Sequence, residues 1–278
     1  PGHADLTGIQ KYDFDDIRNV LERSSARETA MRVALAAICR KLLKDIGIEV
    51  GSRVIQIHKV KDETKLSEQI SPEKMNAKAD KSPVRCLDRM AEKKMIDAID
   101  KAKKEGDSLG GIFEVIASGL PYGLGSHTQW NKKLHARIAE SMMSVNAFKG
   151  IEIGMGFLQA EKLGSHVHDE IGWDGNKYIR YSNNAGGIEG GMSNATPIII
   201  RAVMKPIPTL IKPLRSVDIK TKKNQLAHKE RTDSCSVPAA SIVAEAMLSY
   251  VLADAILEKF GGDTLDQVRA HIKVSGNY

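Results

Sequence analysis

Between Tyr181 and Thr209 the chain reads YSNNAGGIEGGMSNATPIIIRAVMKPIPT, and this stretch holds most of the groups that could meet a small anionic ligand. Two glycine pairs, Gly186-Gly187 and Gly190-Gly191, leave the backbone free of Cβ atoms, so it can approach a ligand closely. Lys205-Pro206-Ile207-Pro208-Thr209 follows as a stiff segment, because its prolines fix φ and donate no hydrogen bond. It presents the Lys205 ammonium and the Thr209 hydroxyl from a rigid frame. Upstream, Arg23 and Arg27 flank Ser25 at an expected helix start, where free N–H groups already favour anions. Downstream, Arg231 and Asp233 precede a long apolar run; they form either a mutual salt bridge or part of a site, since an unpaired charge beside a buried element is costly.

Several familiar chemistries are excluded. The Gly186 to Gly191 spacing matches the glycines of a Walker loop, but Met192-Ser193 stands where Lys-Ser/Thr is required. A G-x-G-x-x-G fingerprint is absent, and the glycine loop precedes a strand instead of opening a helix. A plain surface glycine turn remains the alternative reading. His166 and His168 could share one face of an extended segment, yet no third ligand stands nearby, so no metal site is expected. His127 reads as an exposed helix end. Three cysteines without C-x-x-C spacing suggest neither a disulfide framework nor zinc, and fit a reducing cytoplasm. The net charge of +6 favours an anionic partner, but the basic residues are scattered and aromatics make up 5% of the chain, so nucleic acid is not expected. The apolar run Val237 to Leu252 is broken by Glu245 and is short for a bilayer span, so no membrane is expected either.

The elements that must position these groups follow from periodicity and caps. Ser25-Ala-Arg-Glu28 has capping-box spacing and opens a helix to Gly47, with Ala30, Val33, Ala34, Ala37, Ile38 and Leu42 on one face. Val54 to Val60 alternates as a half-buried strand with His58 on its polar phase. Residues 62–83 read as a polar surface excursion, 87–104 as an amphipathic helix closed by Gly106, and 110–117 as a strand. Ser126-His-Thr-Gln129 resembles a second capping box, opening a helix to Val145 that ends at Asn146-Ala147-Phe-Lys-Gly150. Ile198 to Ile200 suits a buried strand, and Pro238 to Phe260 a helix buried on most sides.

Taken in order, PGHAD, RSSARETA, GLGSHTQW, NAFKG, HDE, NNAGGIEGGMSN, MKPIPT and RTDSCSVPAAS closely resemble the chorismate synthase family, and the resemblance runs along essentially all 278 residues. It implies an α+β fold, a β-α-β sandwich with long helices between antiparallel sheets, over residues 1–278 as one domain. The implied reaction is a trans-1,4-elimination of phosphate from 5-enolpyruvylshikimate 3-phosphate, giving chorismate in aromatic amino-acid biosynthesis. The implied cofactor is reduced FMN, with NADPH as a candidate reductant and no net redox change. The family's flavin is held to lend electron density while phosphate leaves, because the hydrogen removed is poorly acidic. A homotetramer is implied as well.

Matched motif by motif, Arg23, Ser24, Ser25, Asn146, Ala147, Gly190, Lys205, Pro206, Ile207, Pro208 and Thr209 resemble flavin contacts. Arg231 and Arg27 resemble contacts to the anionic ligands, Asp233 the acidic residue beside flavin N5, and His3 the histidine that assists the reduced flavin as an acid. An anionic flavin would raise the His3 pKa. Asn131, His135 and Met155 stand where the family often carries Asp. Nothing here matches the family's Gly-Glu-Ser-His-Gly stretch, which implies an N-terminally truncated chain with little lyase activity by itself. An FMN oxidoreductase is the alternative reading.

Overall fold

The computed structural model describes residues 4–66, 71–229 and 232–275. Two short helices, α1 (Asp5–Tyr12) and α2 (Arg18–Leu21), lead into a 3-10 turn (Ala26–Glu28) and α3 (Thr29–Asp45). Then come β1 (Glu49–Ile57), β2 (Val60–Lys61), α4 (Pro72–Ala79), α5 (Arg89–Glu105), β3 (Gly111–Ser118), α6 (Leu134–Met143) and β4 (Phe148–Ile153). Two small hairpins follow, β5 (Ile171–Trp173) with β6 (Tyr178–Arg180) and β7 (Ile188–Glu189) with β8 (Met192–Ser193). The chain continues through β9 (Ile198–Met204), a hairpin of β10 (Arg215–Val217) and β11 (Asn224–Leu226), then α7 (Val237–Phe260) and α8 (Leu265–Val274).

The main sheet has the order β2-β1-β3-β9-β4, with every pair antiparallel. Alternation along its strands gives two faces of different chemistry. One carries Val54, Phe113, Val115, Ala117, Ile198 and Ile200, all fully buried, and α7 lies across it with α3 and α6 alongside. On the other face the register aligns Arg53, Glu114, Arg201 and Glu152 in one row. Glu114 bridges the two arginines at 3.0 and 3.1 Å, so charges opposite one another attract at each step.

α7 is apolar nearly all round, which is why it can only exist as a core helix. It is long and apolar enough to cross a bilayer by length and composition, yet most of it is packed inside. Its one buried acid, Glu245, accepts from Ser52 Oγ at 2.6 Å and pairs with Arg40 at 2.7 Å and Arg85 at 3.2 Å. Those partners replace the lost water.

Antiparallel sheets and long helices agree with the α+β expectation, while three local expectations are corrected. Residues 62–83 are not only a surface excursion: Ser71 caps α4, whose Met75 and Ala79 are buried against Leu87 and Ile116. On α3 the buried positions are Ala36 and Leu43, whereas Ile38 is 72% exposed beside Met31 and Leu35. An alanine-rich helix carries apolar residues on every side, so periodicity alone does not select its core face. Ser126 opens no helix; its hydroxyl pairs with Thr128, and α6 starts at Leu134.

Candidate active site

The site is built where β9 leaves the sheet. Beyond Met204, Lys205 N donates to Ala147 O at 2.9 Å, which ties the proline-stiffened segment to the turn between α6 and β4. Ala147 adopts φ +69 to make that turn, a conformation that costs a non-glycine residue about 1–2 kcal/mol. Its neighbour Asn146 donates from Nδ2 to Ser24 O at 3.1 Å, reaching the entry to α3. Ser25 caps that entry by accepting from Arg27 N, while Glu28 pairs with Arg32 instead of completing a capping box. Arg32 in turn donates to Ser144 Oγ at 2.6 Å and Ser144 O at 3.3 Å, clamping the α6 end to α3.

A second set of bonds fixes the other side of the segment. Ser108 Oγ donates to Ile207 O at 2.6 Å, and Leu109 N donates to Ser234 O at 2.7 Å. Gly110 has no room for a side chain, since a Cβ would lie 2.4 Å from Met204 O. Thr209 Oγ1 donates to Thr232 Oγ1 at 2.9 Å, next to Asp233. Ser24–Ser25, Asn146–Ala147, Lys205–Thr209 and the approach to Asp233 are thus joined through hydrogen bonds. The expected segments meet in one junction.

The groups in this junction are uncommitted. Among the described residues, no ion pair engages Arg23, Arg27, Lys205 or Asp233, and the Ile207 and Thr209 N–H groups have no hydrogen-bond partner. Burial pushes the thiol pKa of neighbouring Cys235 up, which disfavours its thiolate. Burial likewise raises Cys86, to about 12. A cavity of about 480 Å³ opens beside the junction, walled by Pro208 and Thr209, by Asp5 and Leu21, and by Leu214 of the β10–β11 approach.

The glycine loop is a different object. Asn183 Oδ1 accepts from Gly187 N at 2.9 Å and Thr196 Oγ1 at 3.0 Å, and its Nδ2 donates to Pro197 O at 2.8 Å. Burial acts to raise the Asp169 pKa, but hydrogen bonds from Ser182, Ala185 and Asn184 outweigh it and hold the carboxyl below its usual value. A Cβ on Gly186 would lie 2.2 Å from Gly154 N, and one on Gly187 2.6 Å from Pro197 O. These glycines let backbone meet backbone. Gly190, at φ +58, is the one with room for a side chain, since a Cβ would meet only Met192 Cε at 3.8 Å. Gly191 O accepts from Leu134 N at the start of α6, whereas Asn146 follows the end of α6. Ten residues of helix separate the two by about 15 Å, so Gly190 is not brought to the junction.

His3 and Arg231 lie outside the described residues. His166 and His168 gain no further ligand, and no cluster of three metal-binding side chains occurs among the described residues. Ser108, Gly110 and Arg32 organise the junction without having been singled out in the sequence. The Gly110-Gly111 pair ahead of a strand was the one available signal, marking a close backbone approach.

The sequence model of the chorismate synthase family matches residues 1–257, which takes in every motif of the junction and the glycine loop. The chain belongs to the chorismate synthase family. It is 54% identical to the chorismate synthase of Listeria welshimeri over 280 residues, covering 100% of this chain and 71% of that relative. It is 53% identical to the chorismate synthase of Brevibacillus brevis over 274 residues, 98% of this chain and 70% of the relative. A solved chorismate synthase structure superposes with a TM-score of 0.84 at 45% identity, covering 98% of this chain and 75% of that one. Membership makes the protein a lyase of aromatic amino-acid biosynthesis with an α+β fold. The same matches give no support to the expectation that this chain is inactive alone.

Proposed function

We propose that the protein converts 5-enolpyruvylshikimate 3-phosphate to chorismate with reduced FMN, as a single-domain subunit of a cytoplasmic homotetramer, and that the junction around Lys205 is its cofactor site. The observation that carries this reading is the set of uncommitted groups there: an ammonium, two free N–H groups on a proline-stiffened backbone, and guanidinium groups on the adjoining α3 entry. Such a set fits a flavin mononucleotide. Lys205 would meet the phosphate as a charge-assisted donor, and Ile207, Thr209, Asn146 and Ala147 would hold the rest of the cofactor. Ser24, Ser25 and Arg23 close the site from the α3 entry.

When bound, reduced FMN supplies electron density to the substrate as phosphate departs and an acceptor for the proton removed. The protein's own part is electrostatic and positional. Arg27 and Arg231 hold substrate anions, without which bringing a phosphate and two carboxylates beside an anionic flavin is prohibitive. Asp233 would hold the proton balance beside a bound flavin, and His3 would keep a proton ready for it. NADPH is the proposed source of reducing equivalents. The test is an anaerobic assay with excess reduced FMN. One phosphate released per chorismate without stoichiometric loss of reductant is expected; reductant consumed in step with product would instead mark an FMN oxidoreductase.

A further inference from the structure

We propose that the β10–β11 hairpin is a cationic arm that draws phosphate-bearing ligands to the junction, acting at long range through Arg215, Lys220, Lys222 and Lys223. This rests on the reading above that phosphorylated anions are bound there. The basic residues are spread along the chain, but their excess over acids is not. Residues 212–229 hold six lysines and arginines against one acid, whereas the other 260 residues hold 35 against 34. Almost all of the net charge of +6 therefore sits on one hairpin. Its six cations are exposed, and none closes an ion pair among the described residues. Lys222 Nζ turns back to donate to Ile219 O at 2.6 Å, a bond that leaves its charge uncompensated. The lone acid, Asp218, is taken up by the turn: its Oδ1 accepts from Thr221 N at 2.6 Å, Thr221 Oγ1 at 2.9 Å and Lys220 N at 3.0 Å.

The hairpin is placed to act on the junction. Among the described residues its strands pair only with each other, and Lys212 N anchors its base by donating to Gly106 O at 2.9 Å. From there it walls the 480 Å³ cavity shared with Pro208 and Thr209. Arg215 stands between the lining residues Leu214 and Ser216, Lys220 follows Ile219, and Lys229 follows His228, so each charge is carried one residue, about 3.8 Å of backbone, from the wall. The α1–α2 wall has the opposite sign, because Asp5 lines it and Asp13, Asp15 and Asp16 lead into Ile17 and Arg18. Both walls push an anion toward the arm. Exposed charges act over about a Debye length, about 30 Å at about 10 mM salt, and a field of one sign beside a cleft raises association rates about tenfold or more. A phosphate monoester is selected by this field; an uncharged flavin is not.

The experiment compares the unaltered protein with the triple variant Lys220→Gln, Lys222→Gln, Lys223→Gln. A second triple variant, Lys74→Gln, Lys78→Gln, Lys81→Gln, removes the same charge from exposed positions on and after α4, outside the cavity lining. Stopped-flow fluorescence follows binding of FMN and of riboflavin, which lacks the phosphate, at about 10 mM and about 1 M salt. Steady-state assays with saturating reduced FMN give kcat/KM for the substrate. The hairpin variant is expected to bind FMN about fivefold more slowly at low salt, with an unchanged dissociation rate, and the difference should vanish at high salt. Riboflavin binding should not change, and the α4 variant should stay within about twofold of the unaltered protein. A low-salt loss confined to FMN association assigns the capture to the cofactor, and one confined to substrate kcat/KM assigns it to the substrate. Unchanged FMN association together with unchanged kcat/KM would overturn the inference. So would an equal loss in the α4 variant, which would make it a matter of net charge, or an equal loss for riboflavin, which would make the hairpin structural. Faster FMN dissociation with association intact would overturn it too, since that marks a short-range contact. An unaltered protein that neither binds flavin nor turns over substrate would refute the functional reading itself, and this inference with it.

Discussion

The glycine loop and the Lys205 junction sit on the same molecule and use the backbone in opposite ways. In the loop, side chains from Asp169, Asn183 and Asn194 satisfy nearby N–H and C=O groups, and Arg180 closes on Glu189 through two bonds of 2.7 Å. In the junction, prolines and one strained alanine hold the chain rigid while, among the described residues, the Lys205 ammonium, Ile207 N and Thr209 N are left without partners. Glycine richness therefore marks close packing here, and unfilled donors mark the proposed ligand site. A region saturated with its own hydrogen bonds has little left to offer a ligand.

The sharpest way to break this contrast is Gly186→Ala. Its Cβ would meet Gly154 N at 2.2 Å in a left-handed conformation, so a loss of about 3 kcal/mol in unfolding free energy is expected. Chemical denaturation measures it, and FMN affinity of the folded protein should stay unchanged. Lys205→Ala should do the reverse. Flavin binding should weaken by about 2 kcal/mol, read by fluorescence titration, with stability altered by no more than about 0.5 kcal/mol.

Asp169→Ala tests the loop again with a smaller effect, about 1.5 kcal/mol at neutral pH. Because the folded carboxyl titrates below its ordinary 3.8, its contribution is present above that value and is lost as pH falls through the folded pKa. Melting temperatures of the unaltered protein and the variant should thus converge in acid. A gap that stays constant with pH would show that the charge is not what holds the loop. Gly190→Ala, whose Cβ would meet only Met192 Cε at 3.8 Å, should cost only about 1 kcal/mol for the left-handed backbone.

What could be read from the sequence follows the same physical line. The α7 helix is legible almost to the residue, because a long run apolar on all faces admits one environment. The core face of α3 is not, since Ala36 and Leu43 look no different in sequence from the exposed Met31, Leu35 and Ile38. α4 is a short polar helix whose buried positions are Pro72, Met75 and Ala79, too few to stand out as a period. At the site, Lys205 through Thr209 stand out by their prolines, whereas Asn146 and Ala147 become visible only through family resemblance. The bonds joining them to Ser24 and Lys205 span 122 and 58 positions of chain, and no local pattern records them. Ser108 and Arg32 are hidden for the same reason.

Amide hydrogen exchange with and without FMN tests the central claim most directly. Protection should rise at Asn146 and Ala147 and at Ile207 and Thr209, with residues 184–187 unchanged because their N–H groups are already satisfied by Asp169 and Asn183. Protection confined to the glycine loop, with residues 144–147 and 205–209 unaffected, would place the flavin elsewhere and contradict the account.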